Sequence, residues 1–203
     1  KNVSHETLSL ALMKALNQKH KGKLSMAIDM FTNAYKRPFF NQLICSQLDM
    51  DRLDYLKRDS FYSGVKEGNI STDRIIAMLM VKEEQLVVEE KGIYSIEKFL
   101  LARRLMYWSV YLHKTSYVAE EVLKRIILRA RELLNHGTAI DASAHLLYFI
   151  STYHSSVEHI DMEHYTAIDD VDILSLVKAG VKHSDPVYES LCNMVLTRRL
   201  PKI

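Results

Sequence analysis

The stretch SQLDMDRLDYLKRDSFYSG, residues 46–64, carries four aspartates, two arginines, a lysine and two tyrosines in about five turns of a predicted helix. Arg52, Tyr55 and Asp59 recur at i, i+3 and i+7, so a cation, a phenol and a carboxylate share one helix face. Three leucines at helical spacing predict that the segment is anchored in a core. Such a face suits a phosphorylated, ring-bearing ligand together with a metal.

Asp51 lies on the same helix, with Tyr55 and Arg58 at i+4 and i+7. Its carboxylate is a hard oxygen ligand for a divalent ion, but a metal site needs three or more convergent ligands. The alternative is that the aspartates form exposed pairs with neighbouring cations, each of small energetic value. The residues alone leave both interpretations open.

Composition excludes several classes of protein. The 203 residues are 48% hydrophobic with a net charge of +2, which predicts a globular chain without a generic affinity for nucleic acids or membranes. The two cysteines predict neither a disulfide framework nor a cysteine metal site, and a reducing, cytoplasmic setting is expected. The sequence shows no membrane span or signal peptide, and its first residue, Lys1, suggests a start inside a longer protein.

Few glycines and prolines and long stretches of 3.6-residue periodicity predict an all-α fold. One small β-hairpin is expected near residues 78–93, and the polar stretch 155–170 is expected to be a loop. Helices are predicted over residues 4–19, 24–35, 38–46, 49–63, 71–78, 94–114, 116–134, 141–153, 170–180 and 185–197.

A second polar stretch, LARRLMYWSVYLHK, covers residues 101–114. Arg103, Tyr107, Tyr111 and Lys114 recur at i, i+4, i+8 and i+11, which forms a helix stripe of two cations and two phenols. Cations recognise phosphates, and phenols pack on a sugar or base. The alternative is an amphipathic core helix with half-buried tyrosines.

One histidine near the start of the chain and three later histidines are candidate functional residues. His5, in the first turn of the opening helix, could act as a general acid or contact phosphate, although a lone histidine is more often a surface residue. His154, His159 and His164 are spaced by five, which turns successive side chains away from one another on a helix. A polar loop is therefore expected there in preference to a metal site.

Taken in order, SHETLSL, SQLDMDRLDYLKRDSFYSG and KGIYSIEKFLLARRLMYWSVYLHK resemble the HD-domain deoxynucleoside triphosphate triphosphohydrolases, in particular bacterial relatives of the vertebrate dNTP hydrolase with a SAM domain. The resemblance is strong over residues 3–114. It implies an all-α, HD-domain-like fold in which residues 1–203 form the C-terminal part of a single domain. Residues 1–115 would supply active-site helices, and 116–203 helical support and an oligomer or effector region.

The resemblance also implies roles for the aspartate helix. Asp51 falls on the last aspartate of the family's metal set. Arg52 matches a cation that contacts phosphate, and Tyr55 matches a ring that packs on the sugar. Asp59 matches a carboxylate that reads the 3'-hydroxyl.

Further substrate contacts and a proton-transfer residue are implied in the same way. Arg103 matches a triphosphate contact, and Tyr111 a tyrosine near the sugar and base. Tyr107 stands where relatives have histidine and is placed in the same substrate-binding group. His5 falls on the histidine that assists proton transfer at the phosphate.

The implied cofactor is a divalent metal, Mg, Mn, Fe or Zn. The family takes its other metal ligands from an upstream histidine and an H-D dipeptide. None of the nine histidines of this chain is directly followed by an aspartate. The simplest explanation is a C-terminal part of a longer enzyme that is inactive alone. The rival explanation is a relative that lost catalysis.

The expected activity is hydrolysis of a dNTP to deoxynucleoside and triphosphate. The alternatives are an HD phosphohydrolase acting on another nucleotide, or a non-catalytic helical module that binds nucleotides or oligomerises. Some family members are homo-oligomers controlled by nucleotide effectors. The basic positions that fall on or near the implied effector region are Arg74, Lys91, Lys114 and Arg198.

Overall fold

The structure is a computed structural model that describes residues 3–154 and 156–202. The chain divides into two compact units. One consists of the first eight residues together with the chain from Lys114 onward, and the other is Ser9–His113. The two units are described separately below.

The described residues form α-helices joined by short connections, together with one two-stranded sheet. Three 3-10 turns, Lys66–Gly68, Glu90–Gly92 and Val157–His159, and one π-helical turn, Tyr107–Tyr111, lie between these elements. The helices and strands are α1 His5–Lys19, α2 Ser25–Phe31, α3 Phe39–Ile44, α4 Met50–Ser63, α5 Thr72–Ala77, β1 Leu79–Lys82, β2 Gln85–Val88, α6 Ile93–Met106, α7 Lys114–Asn135, α8 Ala144–Ser151, α9 Met162–Ala167, α10 Asp170–Gly180 and α11 Pro186–Leu196.

Helix α4 has clear chemical signals at both ends. The Asp49 carboxylate is its N-cap and accepts a hydrogen bond from the Arg52 backbone N–H at 2.8 Å. At the other end Gly64 adopts φ +72°, a left-handed conformation that glycine reaches without a Cβ clash. These two caps fix the length of the helix that carries the aspartates.

The hairpin is a regular antiparallel pair in which Leu79 lies opposite Val88 and Lys82 opposite Gln85. The two residues between the strands, Glu83 and Glu84, both have positive φ, 51° and 59°. A two-residue turn of this kind matches the right-handed twist of the strands. The predicted hairpin is confirmed.

Helices α4 and α6 pack together within the Ser9–His113 unit. Leu53 and Leu56 of α4 and Phe99 and Met106 of α6 are almost completely buried. Gly68 lies where a Cβ would come within 2.6 Å of the Met106 sulfur, so only glycine permits this approach. The buried core of this unit is Leu53, Leu56, Ile70, Ile75, Phe99, Ala102 and Met106.

In the other unit, α7 packs against α8 and α11, and α10 packs against α11. The buried positions of α7 recur every three or four residues and form one apolar stripe. The buried core of this unit is Val118, Val122, Ile126, Ala130, Leu133, Ile140, Leu146, Ile150, Leu176, Val177, Tyr188 and Cys192.

The predicted all-α fold class is confirmed, and most helices lie where the periodicity placed them. The predicted helix over 94–114 was wrong at its end, because α6 stops at Met106 and is followed by a π-helical turn. The predicted loop over 155–170 was also wrong in part, since it contains α9. Among the residues described, no helix is both long and apolar enough to span a bilayer, and the cytoplasmic setting stays a prediction.

Candidate functional site

Hydrogen bonds join the aspartate stretch, residues 46–64, to the second polar stretch, residues 101–114. The Tyr111 hydroxyl donates to Oδ2 of Asp59 at 2.6 Å. The Tyr111 ring lies edge-on to the rings of Tyr55, at 6.1 Å, and Tyr107, at 5.2 Å between centroids. These residues, with Arg52 and Arg103, are called the polar-aromatic cluster below.

A π-helical turn brings Tyr111 into this cluster. Within residues 107–111 the hydrogen bonding shifts to i+5, and the Leu112 N–H donates to the Tyr107 carbonyl at 2.7 Å. Tyr111 ends this turn, and its ring still packs on that of Tyr107, four residues earlier. Such turns inside helices occur frequently at functional sites.

Two arginines carry the positive charge of the cluster. Arg103 donates from Nη1 to Oε1 of Gln47 at 3.1 Å, and its guanidinium lies 5.9 Å from the Tyr107 ring centroid. Arg52 donates from Nη1 to the Ser46 carbonyl at 2.6 Å. Both guanidiniums are therefore held in defined positions while their side chains stay partly exposed.

Asp49 positions Arg52, and sequence reasoning did not assign it a role. Its side chain is 2% exposed and accepts hydrogen bonds from the Arg52 guanidinium, the Arg52 backbone N–H and the Ser46 N–H. A buried carboxylate is stable only when it is paired and hydrogen-bonded, as here. The signal was present in the sequence, since an aspartate directly before a helix and three residues before arginine is a typical N-cap.

Tyr55 and Tyr111 of the cluster are hydrogen-bond donors at neutral pH. Burial, followed by the hydrogen bond to Asp59, raises the pKa of Tyr111 well above its usual range. Burial also raises the pKa of Tyr55, against the opposing charges of Arg103 and Arg52. Both phenols therefore keep their protons.

Asp51 lies in the first turn of α4 and is exposed. Within residues 3–154 and 156–202, no three His, Cys, Asp or Glu side chains are grouped so that they could hold a metal ion. The chain therefore presents Asp51 as a single carboxylate and does not complete a metal centre by itself. The metal role of Asp51 stays a prediction.

His5 begins α1, and its imidazole is exposed, with Nε2 3.2 Å from Oε1 of Glu6. The Ser4 hydroxyl accepts a hydrogen bond from the Thr7 N–H at 3.2 Å and so caps the helix. His5 belongs to the unit that contains Lys114 onward, whereas Asp51 belongs to the other unit. A site shared by His5 and Asp51 therefore stays a prediction.

Two of the four predicted effector residues lie together. Lys114 and Arg198 line a cavity of about 510 Å³, whose wall also includes Lys202. Lys91 instead pairs with Glu89 at 2.5 Å, and Arg74 is exposed on α5. The latter two residues belong to the Ser9–His113 unit.

A larger cavity, about 710 Å³, lies on a different face of α4 and is lined by Asp54, Arg58 and Phe61 among others. Arg58 pairs there with Asp54 at 2.8 Å, with both side chains exposed. The helical period directs these residues away from Arg52, Tyr55 and Asp59. We therefore locate the candidate site by the convergence of functional groups in the polar-aromatic cluster and not by cavity size.

Residues 70–146 match the family model described as HD associated region. A crystal structure of a phosphohydrolase from Bacteroides thetaiotaomicron is similar over 100% of this chain and 51% of its own, with 47% identity and a TM-score of 0.96. Together with the HD-associated region, this similarity supports an HD-domain family.

One curated relative and a second solved structure are similar over most of the chain. The uncharacterized protein YwfO of Bacillus subtilis is 31% identical over 172 residues, 85% of this chain and 39% of that protein. A hypothetical protein from Aquifex aeolicus, at 21% identity and a TM-score of 0.64 over 92% of this chain and 44% of its own, shares the fold. The chain spans 39% of YwfO and 51% of the Bacteroides phosphohydrolase.

The HD-associated region contains part of the cluster. Arg103, Tyr107 and Tyr111 lie within residues 70–146, whereas Arg52 and Asp59 precede them. The Tyr111–Asp59 hydrogen bond therefore joins the HD-associated region to the aspartate helix.

Proposed function

We propose that this chain belongs to a metal-dependent nucleotide phosphohydrolase that hydrolyses dNTPs to deoxynucleoside and triphosphate, and that it supplies the phosphate- and sugar-binding residues. The observation that carries the proposal is the convergence of two guanidiniums, three phenols and the Asp59 carboxylate in one partly exposed cluster. The 47% identical phosphohydrolase and the HD-associated region support the reaction class.

The cations would bind the triphosphate. Guanidinium groups stay charged at all physiological pH values and form bidentate hydrogen bonds with phosphate oxygens. Asp49 and Gln47 hold Arg52 and Arg103, so less side-chain entropy is lost on binding. The two arginines would offset negative charge on the phosphates in the transition state as well as in the ground state.

Asp59 and two tyrosines would read the sugar. Tyr111 occupies Oδ2 of Asp59 and orients the carboxylate, so that Oδ1 can accept a hydrogen bond from the 3'-hydroxyl. The Tyr55 ring would pack on the deoxyribose and leave no room for a 2'-hydroxyl. Tyr107, which packs on Tyr111 and lies beneath Arg103, would complete the wall.

In this proposal Asp51 is one ligand of a divalent metal whose remaining ligands come from outside the 203 residues. The described residues of this chain supply no further group of ligands around Asp51. His5 would assist proton transfer at the phosphate, a role that suits an exposed imidazole.

The test is hydrolysis by the full-length protein of a panel of dNTPs, ribonucleotides and signalling or modified nucleotides, with Mn²⁺ or Mg²⁺ and with triphosphate release measured for each nucleoside triphosphate. Asp51→Ala should abolish release, whereas Asp54→Ala, which removes an exposed carboxylate on another face of the same helix, should not. Equal activity of wild type and Asp51→Ala would contradict the metal assignment. Release from ribonucleotides at the same rate would contradict the sugar-reading roles.

The rival functions give different results in the same panel. A phosphohydrolase for another nucleotide would leave dNTPs intact and turn over a different member of the panel. A non-catalytic module would bind nucleotides without turnover even in the full-length protein.

We propose further that the protein is a homo-oligomer under nucleotide control. The cavity lined by Lys114, Arg198 and Lys202 has three cations and the volume for a phosphorylated ligand. Arg74 and Lys91 stay predictions as effector-binding residues.

A further inference from the structure

A pair of histidines joins α8 to α9, apart from the polar-aromatic cluster. Nδ1 of His145 lies 3.1 Å from Nδ1 of His164, within hydrogen-bonding distance. The His164 ring is stacked on Tyr148, with centroids 4.4 Å apart and planes at 7°. The His154 ring lies against the same tyrosine at 4.6 Å.

Tyr148 also holds the segment that leads into α9. Its hydroxyl donates to the His159 carbonyl at 3.0 Å and accepts from the Asp161 N–H at 3.0 Å. His154 Nδ1 lies 3.1 Å from the same His159 carbonyl. Residues 156–169, called the α9 segment below, are thus attached to α8 through histidine and tyrosine side chains, while Ile168 at its end packs against the core of the unit.

The contact between His145 and His164 depends on protonation. A hydrogen bond between two Nδ1 atoms needs one nitrogen that carries a proton and one that does not. Two neutral rings satisfy this requirement, and so does a pair with one additional proton. When both rings are cationic, two N–H groups point at each other and two positive charges repel.

Several charged and titratable side chains surround the His145–His164 pair. Asp172 of α10 is electrostatically coupled to His145, and Glu163 precedes His164 on α9. Arg131 of α7 contributes positive charge at the far end of α8, where it bonds two carbonyls. The connecting segment places the His154 ring on Tyr148 and also carries the titratable residues Glu158, His159 and Asp161. The second proton on the pair is the disruptive one, because it makes both rings cationic and leaves no Nδ1 acceptor between them.

The ionisation of Asp172 agrees with this arrangement. The Ser143 hydroxyl and the Asp169 N–H, with a further contribution from His145, lower the pKa of the Asp172 carboxyl. Asp172 therefore stays negatively charged throughout the range in which histidines titrate.

We propose that the His145–His164 pair is a proton-controlled clasp that holds the α9 segment on α8 at neutral pH and releases it in mild acid. The detached segment binds one more proton than the attached segment. Attachment is therefore complete when the pair carries at most one proton and is lost as the pH falls through the histidine range. The proposal is independent of the proposed hydrolase activity.

Hydrogen exchange of the full-length protein, with EDTA present so that no metal ion bridges the two Nδ1 atoms, tests the clasp. Protection of the α9 segment, corrected for intrinsic exchange, should fall between pH 7.5 and 5.5 by up to about tenfold per pH unit for the extra proton. Protection of α7 should stay constant and serves as the internal reference. Protection of the α9 segment that does not change with pH would overturn the proposal.

A matched pair of variants assigns the effect to the clasp. His164→Phe keeps an aromatic ring on Tyr148 but removes the titrating nitrogen, so the pH dependence of protection should disappear. His20→Gln removes an exposed histidine of the other unit and should leave the dependence unchanged. Unchanged pH dependence in His164→Phe would contradict the assignment.

A measurement on the wild-type protein keeps the proposal testable if the variant fails to fold. In ¹⁵N-histidine NMR spectra at pH 7.5, one ring of the pair should carry its proton on Nδ1 and show a scalar coupling across the hydrogen bond to Nδ1 of the other. Two rings that both carry their protons on Nε2 would overturn the proposal.

Discussion

The Tyr111 phenol donates a hydrogen bond at 2.6 Å to the Asp59 carboxylate, across 52 positions of sequence. This bond joins the π-helical turn after α6 to the third turn of α4. It orients the carboxylate proposed to read the sugar and fixes the ring proposed to lie beside it. The Tyr111–Asp59 hydrogen bond therefore stabilises the fold and also positions side chains of the cluster.

Loss of this hydroxyl should weaken both stability and sugar recognition. We expect Tyr111→Phe to lower the free energy of unfolding by about 1 kcal/mol, because Asp59 is partly exposed and water replaces the lost donor. Chemical denaturation measures the change, and Tyr94→Phe, a tyrosine 80% exposed on α6, is the control. Equal destabilisation by the two variants would show that the bond contributes nothing specific.

A comparison of two adjacent arginines on α6 distinguishes phosphate binding by the cluster from a general effect of surface charge. Arg103 lies in the cluster, whereas Arg104 lies over Trp108 at 4.6 Å and is exposed. Arg103→Ala should raise KM for the dNTP by about 10- to 100-fold, the value of a lost charged hydrogen bond. Arg104→Ala should leave KM near the wild-type value. Steady-state triphosphate release by the full-length protein measures both, and a reversed order would contradict the assignment.

The cavity at Lys114 and Arg198 makes a similar prediction for nucleotide control. Arg198→Ala should raise the nucleotide concentration needed for half-maximal stimulation by about tenfold, because one cation of the site is lost. Arg199→Ala removes a neighbouring exposed arginine that does not line the cavity and is the matched control. Identical stimulation curves for Arg198→Ala and wild type would exclude the cavity as the effector site.

Gly180 makes the closest approach between α10 and α11. A Cβ there would lie 2.4 Å from the Cys192 sulfur and 3.0 Å from Cε1 of Tyr188. Gly180→Ala should lower the free energy of unfolding by about 1 to 3 kcal/mol through overpacking. Urea denaturation of the single variants and of Gly180→Ala with Cys192→Ala provides the check. The double variant should lose less free energy of unfolding than the two single variants lose together. Additive losses would show that the Cys192 sulfur is not the obstacle.

The contacts of Asp185 predict that part of the stability of the folded protein is lost in acid. It caps α11 through the Tyr188 N–H and binds Arg129 through both oxygens, at 3.1 and 2.6 Å. These partners, Arg129 first, lower the pKa of its carboxyl to about 2. Because the pKa is lower in the folded state, the stabilisation is present above pH 4 and is lost as the pH falls towards 2.

A variant that lacks the Asp185 charge tests the predicted direction of this pH dependence. Asp185→Asn should lower the thermal unfolding midpoint at pH 7, and the gap to wild type should narrow between pH 4 and pH 2. Asp141→Asn, at an exposed position of the same unit, is the control. A gap that widens towards low pH would contradict the proposed ionisation.

Much of the fold could be predicted from local pattern. Apolar periodicity and caps identified most helices, and two short apolar runs separated by KEEQ between residues 78 and 93 identified the hairpin. The π-helical turn at Tyr107–Tyr111 could not be predicted, because the residues of the turn continue a helical pattern and only packing selects the shifted hydrogen bonds. Helix α9 was missed for a related reason, since its polar six-residue sequence is stable only against α8.

The sequence by itself determined the chemistry available at the candidate site, since residue types at helical spacing placed Arg52, Tyr55 and Asp59 on one face and Arg103 with its tyrosines on another. Only the tertiary structure decided which of these groups meet. The Tyr111–Asp59 bond, the role of buried Asp49 beneath Arg52 and the His145–His164 contact all join side chains whose geometry depends on packing and caps. Helical periodicity specifies faces, but the distance between two faces follows from how cores fill, and that is a property of the folded chain.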